Sequence, residues 1–488
     1  MAGGVTGQPG AVHGQRIPLW PARLQRHRAV AGVYDNCRVH RRARCLRDVA
    51  AQARHRHQEL TPRLSDRRRA QWSWALYDWA NSAFATTVMA GFFPVFFKSY
   101  WTTGMTATES TVRLGSANAI ASLLVVVLAP VLGIVADRSG RKKRLLLTLA
   151  MLGALMSAGL YLVAAGQWLL AAALYVFGVL GFAGGNVTYD ALLLDVAGND
   201  ELERVSALGF ALGYLGGGLL FAVNVMMVVH PEWFGLADKA AAVRVAFAMV
   251  GLWWAVFSLP VALYVREAPR KTATSGADGM RVAWREALTT WRLLRSLRMA
   301  FLFLLAYWCY IDGVDTIVRM AVDYGLSLGF AADHLLGALL LTQVVGFPAA
   351  LAFGRIGDRI GAKRAIWLAL AVYAVVVFWA SRMAATWEFY GLATAIGLVQ
   401  GGVQAMSRAL FARLIPAEHA GRLFGLYNMM GKFAAVIGPL LVGWVGLLSG
   451  SSRVGILSVL LLFVAGGWLL AQVDVARGAR EASGDVSG

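Results

Sequence analysis

Twelve apolar runs, each close to the length that crosses a bilayer, constrain this chain more than any other feature. A hydrocarbon core of roughly 30 Å needs about 20 apolar residues as helix, at about 1.5 Å of rise per residue. Runs of that size lie at about 74–98, 114–136, 144–165, 168–192, 205–229 and 243–265. Six more lie at about 299–324, 332–356, 364–383, 386–410, 423–448 and 453–473. Of the 488 residues 58% are hydrophobic and 15% charged, whereas soluble domains carry about 25% charged residues. The expected fold class is all-α and transmembrane, with twelve helices. Run length excludes a solenoid, a coiled coil and a soluble multidomain chain.

The formal net charge of +19 is unevenly placed, which removes nucleic acid as an expected partner. Residues 1–70 hold fifteen Arg against Asp35, Asp48, Glu59 and Asp66. Beyond them the basic residues gather in alternate loops. Arg138, Arg141, Lys142, Lys143 and Arg144 follow run 2, and eight Arg and Lys from Arg266 to Arg298 follow run 6. Arg359, Lys363 and Arg364 follow run 8, and Arg413 and Arg422 flank the loop after run 10. The loop after run 3 has none, that after run 5 has Lys239 and Arg244, and that after run 9 has Arg382. The positive-inside rule then places both termini in the cytoplasm, in a multi-pass protein of the cell (inner) membrane.

This topology divides the chain into a leader (1–66), an N-terminal six-helix bundle (67–265), a cytoplasmic loop (266–298), a C-terminal six-helix bundle (299–473) and a cytoplasmic tail (474–488). The leader is basic and aperiodic, with no apolar core of a secretory signal; it reads as a disordered tail, an organelle presequence or a start assigned too far upstream. In the loop, Met280, Trp284, Leu288, Trp291 and Leu294 recur at helical spacing beside Arg281, Arg285, Arg292 and Arg295. That pattern predicts an amphipathic basic helix on the inner leaflet, acting as a strut or as a lipid sensor.

The two bundles are copies. Gly133-x-x-x-Asp137-Arg138-x-Gly140-Arg141-Lys142-Lys143 follows run 2, and Gly354-x-x-x-Asp358-Arg359-x-Gly361-Ala362-Lys363-Arg364 follows run 8. Arg204 opens run 5 as Arg422 opens run 11, and Gly213 stands to Gly431 as Leu192 to Leu410. Run 1 holds Asp78-Trp79-Ala80-Asn81-Ser82, and run 7 holds Asp312-Gly313-Val314-Asp315-Thr316. Two pseudo-symmetric bundles of this kind are how parallel repeats in transporters look, with the solute bound between them.

Over about residues 70–473 the chain resembles the major facilitator superfamily, whose best-known motif looks like the turn after run 2 with a weaker copy after run 8. A narrower resemblance lies in Tyr77-Asp78-Trp79-Ala80-Asn81-Ser82, Arg204-Val205-Ser206, Asp312-Gly313-Val314, Gln404-Ala405-Met406-Ser407-Arg408 and Gly425-Leu426-Tyr427. Together these resemble the vacuole-effluxer-like branch, whose fungal members are associated with amino-acid efflux. The resemblance implies that Gly133, Asp137, Arg138, Gly140, Arg141 and, more weakly, Gly354, Asp358, Arg359 and Gly361 form conformational latches. In that reading Asp137 pairs with nearby Arg and with a helix N-terminus of the other half, whose dipole favours an anion. A purely topological role for both turns stays open, with their basic residues held at the anionic inner leaflet.

Charges inside spanning helices are costly and normally face a partner or a wet cavity. Asp78, Asp312, Asp315, Arg319 and Lys432 are the candidates, and the count leaves one acid over. An unpaired carboxylate in a dry cavity can carry a proton at neutral pH, with Asp312 the first choice and Asp78 the second. Asn81, Ser82, Gln343, Gln404 and Asn428 are polar neighbours that would line the same cavity. The alternative makes all of these charges structural pairs that fix helix packing. Asp190 and Arg408, at equivalent positions of runs 4 and 10, are gate candidates.

The expected function is secondary transport of a small polar solute, such as an amino acid, by alternating access with proton coupling, efflux being one direction. A lipid or lysolipid flippase and a non-transporting regulatory protein are the alternatives. No enzyme activity is expected, nor any cofactor or metal: Cys37, Cys45 and Cys309 have no ligand spacing, and no nucleotide-binding loop is present. The expected partners are the solute, protons and the anionic leaflet, and the expected state is a monomer.

Overall fold

In the computed structural model the residues described are 64–267, 290–327 and 332–483; some side chains inside these helices, among them those of Arg319 and Lys432, lie outside the description too. Residues 1–63 of the leader and 268–289 of the loop, with Met280, Trp284 and Leu288 of the amphipathic pattern, therefore fall outside it; residues 290–296, with Trp291 and Leu294, are helical.

The first bundle runs α1 (Leu64–Ala83, continuing in helical turns to Trp101), α2 (Ala107–Ser139), α3 (Lys142–Gly159), α4 (Trp168–Val196), α5 (Leu202–Val229) and α6 (Lys239–Tyr264). The second runs α7 (Arg298–Ser327), α8 (Ala332–Ile360), α9 (Ala362–Ala380), α10 (Thr386–Arg413), α11 (Ala420–Ser449) and α12 (Ser452–Leu457 with Val459–Ala471). Among the described residues ten helices are long and apolar enough to cross a membrane. The other two long ones are α10, diluted by Gln400, Gln404, Ser407 and Arg408, and α11, whose apolar stretch Ile437–Ser449 is shorter. A further helix, α13 (Val475–Ser483), stands where the sequence suggested only a tail.

Local chemistry sets the ends of these helices. Thr106 and Glu109 form a reciprocal capping box at the start of α2, and the Asp238 side chain accepts the Ala241 N–H at the start of α6. Gly140 and Gly361 close α2 and α8 with φ of +58° and +85°, a region that a side chain resists. The wide π turns Phe84–Phe92 and Phe97–Trp101 make α1 irregular in its second half.

The bundles meet along α2 with α11 and α5 with α8, backed by α5 with α10 and α4 with α11. Small residues permit that approach. A Cβ on Gly133 would lie 2.1 Å from the carbonyl oxygen of Gly421, and one on Gly425 would lie 2.6 Å from that of Ala129. Halfway along, Tyr214 of α5 fills the space left by Gly346 of α8 and Gly401 of α10. Within the first bundle, Gly181 lies against Gly153, and Gly213 against Ser82 and Asp78.

Candidate functional site

A cavity of about 740 Å³ lies between the bundles, with walls from both. Six residues expected at a transport pathway, Asp78, Ser82, Asp315, Gln343, Gln404 and Asn428, line it. Asn81 does not: it is buried and donates to Asn186 Oδ1 at 2.7 Å, and Asn186 lines the cavity in its place. Asp312 also turns away from it. Its Oδ2 accepts the N–H of Gly438 at 2.9 Å, beside Pro439, where a ring without an N–H interrupts the ladder of α11. The side chain of Lys432 lies outside the described residues.

The helices run so that both Asp-Arg-x-Gly turns lie at one end of the molecule, called here the turn end. The cavity floor on that side is built around Arg408 of α10. Its Nη1 donates to Asp190 Oδ1 at 3.1 Å, Nε to Ser206 Oγ at 2.9 Å and Nη2 to the Ser206 carbonyl at 2.8 Å. Asn428 donates to the other oxygen of Asp190 at 2.9 Å, and Ser206 Oγ in turn donates to the Ala405 carbonyl. Arg408 and Asp190 are buried, and the rings of Trp74, Tyr189 and Phe210 surround the guanidinium at 4.9, 5.2 and 4.4 Å. The pair therefore ties the two bundles together directly beneath the cavity. Breaking such a buried pair by removing one partner costs about 3–5 kcal/mol.

Below the floor, Asp137 reaches across to the second bundle. Its two carboxylate oxygens accept the N–H groups of Gly421 and Arg422, each at 2.8 Å, in the first turn of α11. Arg422 Nε stands 3.8 Å from the same carboxylate. A buried anion there satisfies helix-end donors that have no partner within the helix and meets the positive end of the helix dipole.

The second copy of the turn behaves differently. Asp358 and Arg359 are exposed, and Gly354 packs against Ala207 of α5. The bond across the bundles on that side is made by Glu203 and Arg413, whose Nη2 lies 2.6 and 2.7 Å from the two carboxylate oxygens. Three of the basic residues also do something other than face an anionic leaflet. Lys142 pairs with Asp195 at 2.8 Å, Lys143 donates to the carbonyls of Ala262 and Val265 at the end of α6, and Lys363 donates to those of Ala471 and Val473 at the end of α12. Unsatisfied carbonyls at a helix C-terminus attract cations at short range, so these charges are spent on the protein. Arg141 remains exposed.

Sequence reasoning missed Asn186, Tyr189 and Tyr214 as wall residues, and Glu203 with Arg413. Asn186 sits four residues before Asp190 on one face of α4, a spacing that carried the signal. Nothing in the sequence joins Glu203 to Arg413.

The family described as "Vacuole effluxer Atg22 like" matches residues 66–483. An MFS-type transporter, YxiO, of Bacillus subtilis (strain 168) is 37% identical over 424 residues, covering 85% of this chain and 96% of that protein. Autophagy-related protein 22-1 of Neosartorya fischeri is 25% identical over 57% of this chain and 49% of its own, so the matched region spans about half of that fungal relative. Among solved structures, the proton:xylose symporter XylE aligns with a TM-score of 0.63 at 14% identity over 87% of this chain and 98% of its own. The human organic anion transporter MFSD10 aligns at 0.62 and 16% over 84% of this chain and 100% of its own. At such identities these two speak for the fold alone. Together with the family match they make the protein a transporter on the major facilitator fold and not an enzyme. The chain belongs to the vacuole effluxer Atg22-like family.

Proposed function

We propose that the protein is a secondary transporter that moves a small polar solute through the central cavity by alternating access, coupled to protons. The observation that carries this reading is the cavity itself: it lies between the bundles, is lined by Asp78, Asp315, Gln343, Gln404 and Asn428, and has the Asp190–Arg408 pair for a floor. The Asp137–α11 contact and the Glu203–Arg413 pair act as latches that hold the turn end shut. Their release, with the floor pair, exposes the cavity on that side. The loop charges put the turn end in the cytoplasm, so the state described opens away from it. Asp78 is the favoured proton carrier, because it lines the cavity while Asp312 is engaged with α11. A small zwitterion such as an amino acid, moved outward, fits the mixed polarity of the wall and the efflux named in the family's description.

Uptake of a metabolite mixture into proteoliposomes, with and without an imposed pH gradient, tests the proposal. Gradient-dependent accumulation, lost in Asp78→Asn and kept in Asp312→Asn, is the expected result. Accumulation indifferent to the gradient removes the proton; none at all removes the transporter reading of the cavity.

A further inference from the structure

The cavity wall is divided along its length. Toward the turn end it carries Asp78, Asn186, Tyr189, Asp190, Arg408 and Asn428; toward the other end Phe221, Ile317, Val318, Val376, Leu392 and Ile396 predominate, with Asp315, Thr342 and Gln343 among them. A volume of about 740 Å³ lies within the usual range for small-molecule sites, roughly 300–1,000 Å³. A solute that fills this space has a polar head at one end and an apolar body at the other.

The sign of that head follows from how the charges are used. Arg408 is the one wall cation among the described residues, and it has little left to offer an anion. Each of its three nitrogens donates to Ser206 or Asp190, Asp190 neutralises it, and three aromatic rings cover its faces. Asp78 is placed the other way. Its hydrogen-bond partners are two neutral hydroxyls, Ser82 Oγ at 3.3 Å and Tyr189 Oη at 3.5 Å, and no cation among the described residues stands within ion-pair distance of it. Tyr214 and Phe182, which are not engaged with Arg408, share the wall with it and supply the electron-rich faces that attract an organic cation.

We infer that the solute carries a cationic nitrogen, a protonated amine or its alkylated equivalent, which docks on Asp78 while an apolar body lies along the wall of α5, α7, α9 and α10. The inference rests on the cavity being the transport site and narrows its substrate class: the described wall favours an organic cation over an organic anion, and an amino acid is held through its ammonium group.

Three probes of one shape and different charge test it on the full-length protein: 2-phenylethylamine, 2-phenylethanol and 3-phenylpropionate. Each is measured for thermal stabilisation and for competition with the solutes that proteoliposomes accumulate from a metabolite mixture. The amine is expected to stabilise and compete, and the alcohol and the acid to do neither. Asp78→Asn is expected to weaken the amine by roughly 30-fold or more, the effect of removing one partner of a desolvated charge pair, while Asp78→Glu retains it within about tenfold of wild type. If Asp78→Asn does not fold, the charge series on the wild type decides. Competition by the acid equal to that by the amine, or accumulated solutes that are anionic or neutral, overturns the inference and leaves transport standing. Absence of any accumulated solute fells the transport reading and this one with it.

Discussion

Asp137 satisfies two helix-end N–H groups with one carboxylate, and only because Gly133, one turn earlier, lets α2 come down onto α11. The two residues fail differently. In Gly133→Ala the new methyl meets backbone, which has no rotamer to yield, and overpacking of this kind costs about 1–3 kcal/mol. A lowered melting temperature is expected, with transport impaired in proportion. Asp137→Asn keeps the shape, loses the charge and one acceptor, and is expected to weaken the turn-end contact by about 1–2 kcal/mol while the melting temperature falls less. Equal effects of both variants on melting would contradict the division of labour. Much of this was legible beforehand: the repeated turn announced Asp137, and the resemblance supplied a helix N-terminus for it. The direction in which Asp312 points was not legible. Three residues separate it from Asp315, enough to aim one at α11 and the other at the cavity, and sequence does not record how a helix is rotated about its axis.

At the scale of elements, helix ends are held by side chains from other helices. Glu481 on α13 accepts the N–H of Met299 at 3.1 Å in the first turn of α7, and Gly478 seats α13 against Leu414 and Met299. The short helix is thus a cap on the entrance of α7. Glu481→Gln is expected to cost about 1 kcal/mol, as loss of a capping carboxylate does, and to raise amide exchange in the first turn of α7 but not in α10. In the first bundle Glu267, just past α6, accepts the N–H of Lys143 at the start of α3. Burial pushes its carboxyl above the usual range, and that N–H opposes the shift. A raised carboxyl binds more protons folded than unfolded, so its contribution to stability is fullest at low pH and declines as pH rises from the usual carboxylate range through the raised one. Glu267→Gln should flatten that part of the stability profile. A steeper decline in the variant would mean that the carboxylate is the form the fold prefers. Neither α13 nor these caps could be read from the sequence, since a single acid beside a basic tail looks like any solvated charge.

The whole molecule is two similar bundles joined at one end by contacts that are not symmetric. One side uses Asp137 on the first turn of α11; the other uses Glu203 with Arg413, while the repeat's own Asp358 stays exposed. Of the two turns, the first makes the carboxylate contact with a helix N-terminus, and on the other side the Glu203–Arg413 pair stands in that place. Two latches on separate helix pairs, with no shared residue, should act independently, adding within about 0.5 kcal/mol. If each favours the closed turn end by about 2 kcal/mol, Asp137→Asn or Arg413→Gln alone moves the open-to-closed ratio roughly 30-fold and the double variant roughly 1,000-fold. Spin labels at the exposed positions Arg141 and Glu418, on opposite bundles, report that ratio as a pair of distances in a background with Cys37, Cys45 and Cys309 replaced. The double variant is expected to populate the longer distance and each single variant a minority of it. A double variant no more open than either single one would mean that the two contacts form a single latch, and that the floor pair of Asp190 and Arg408 bears the rest of the closure.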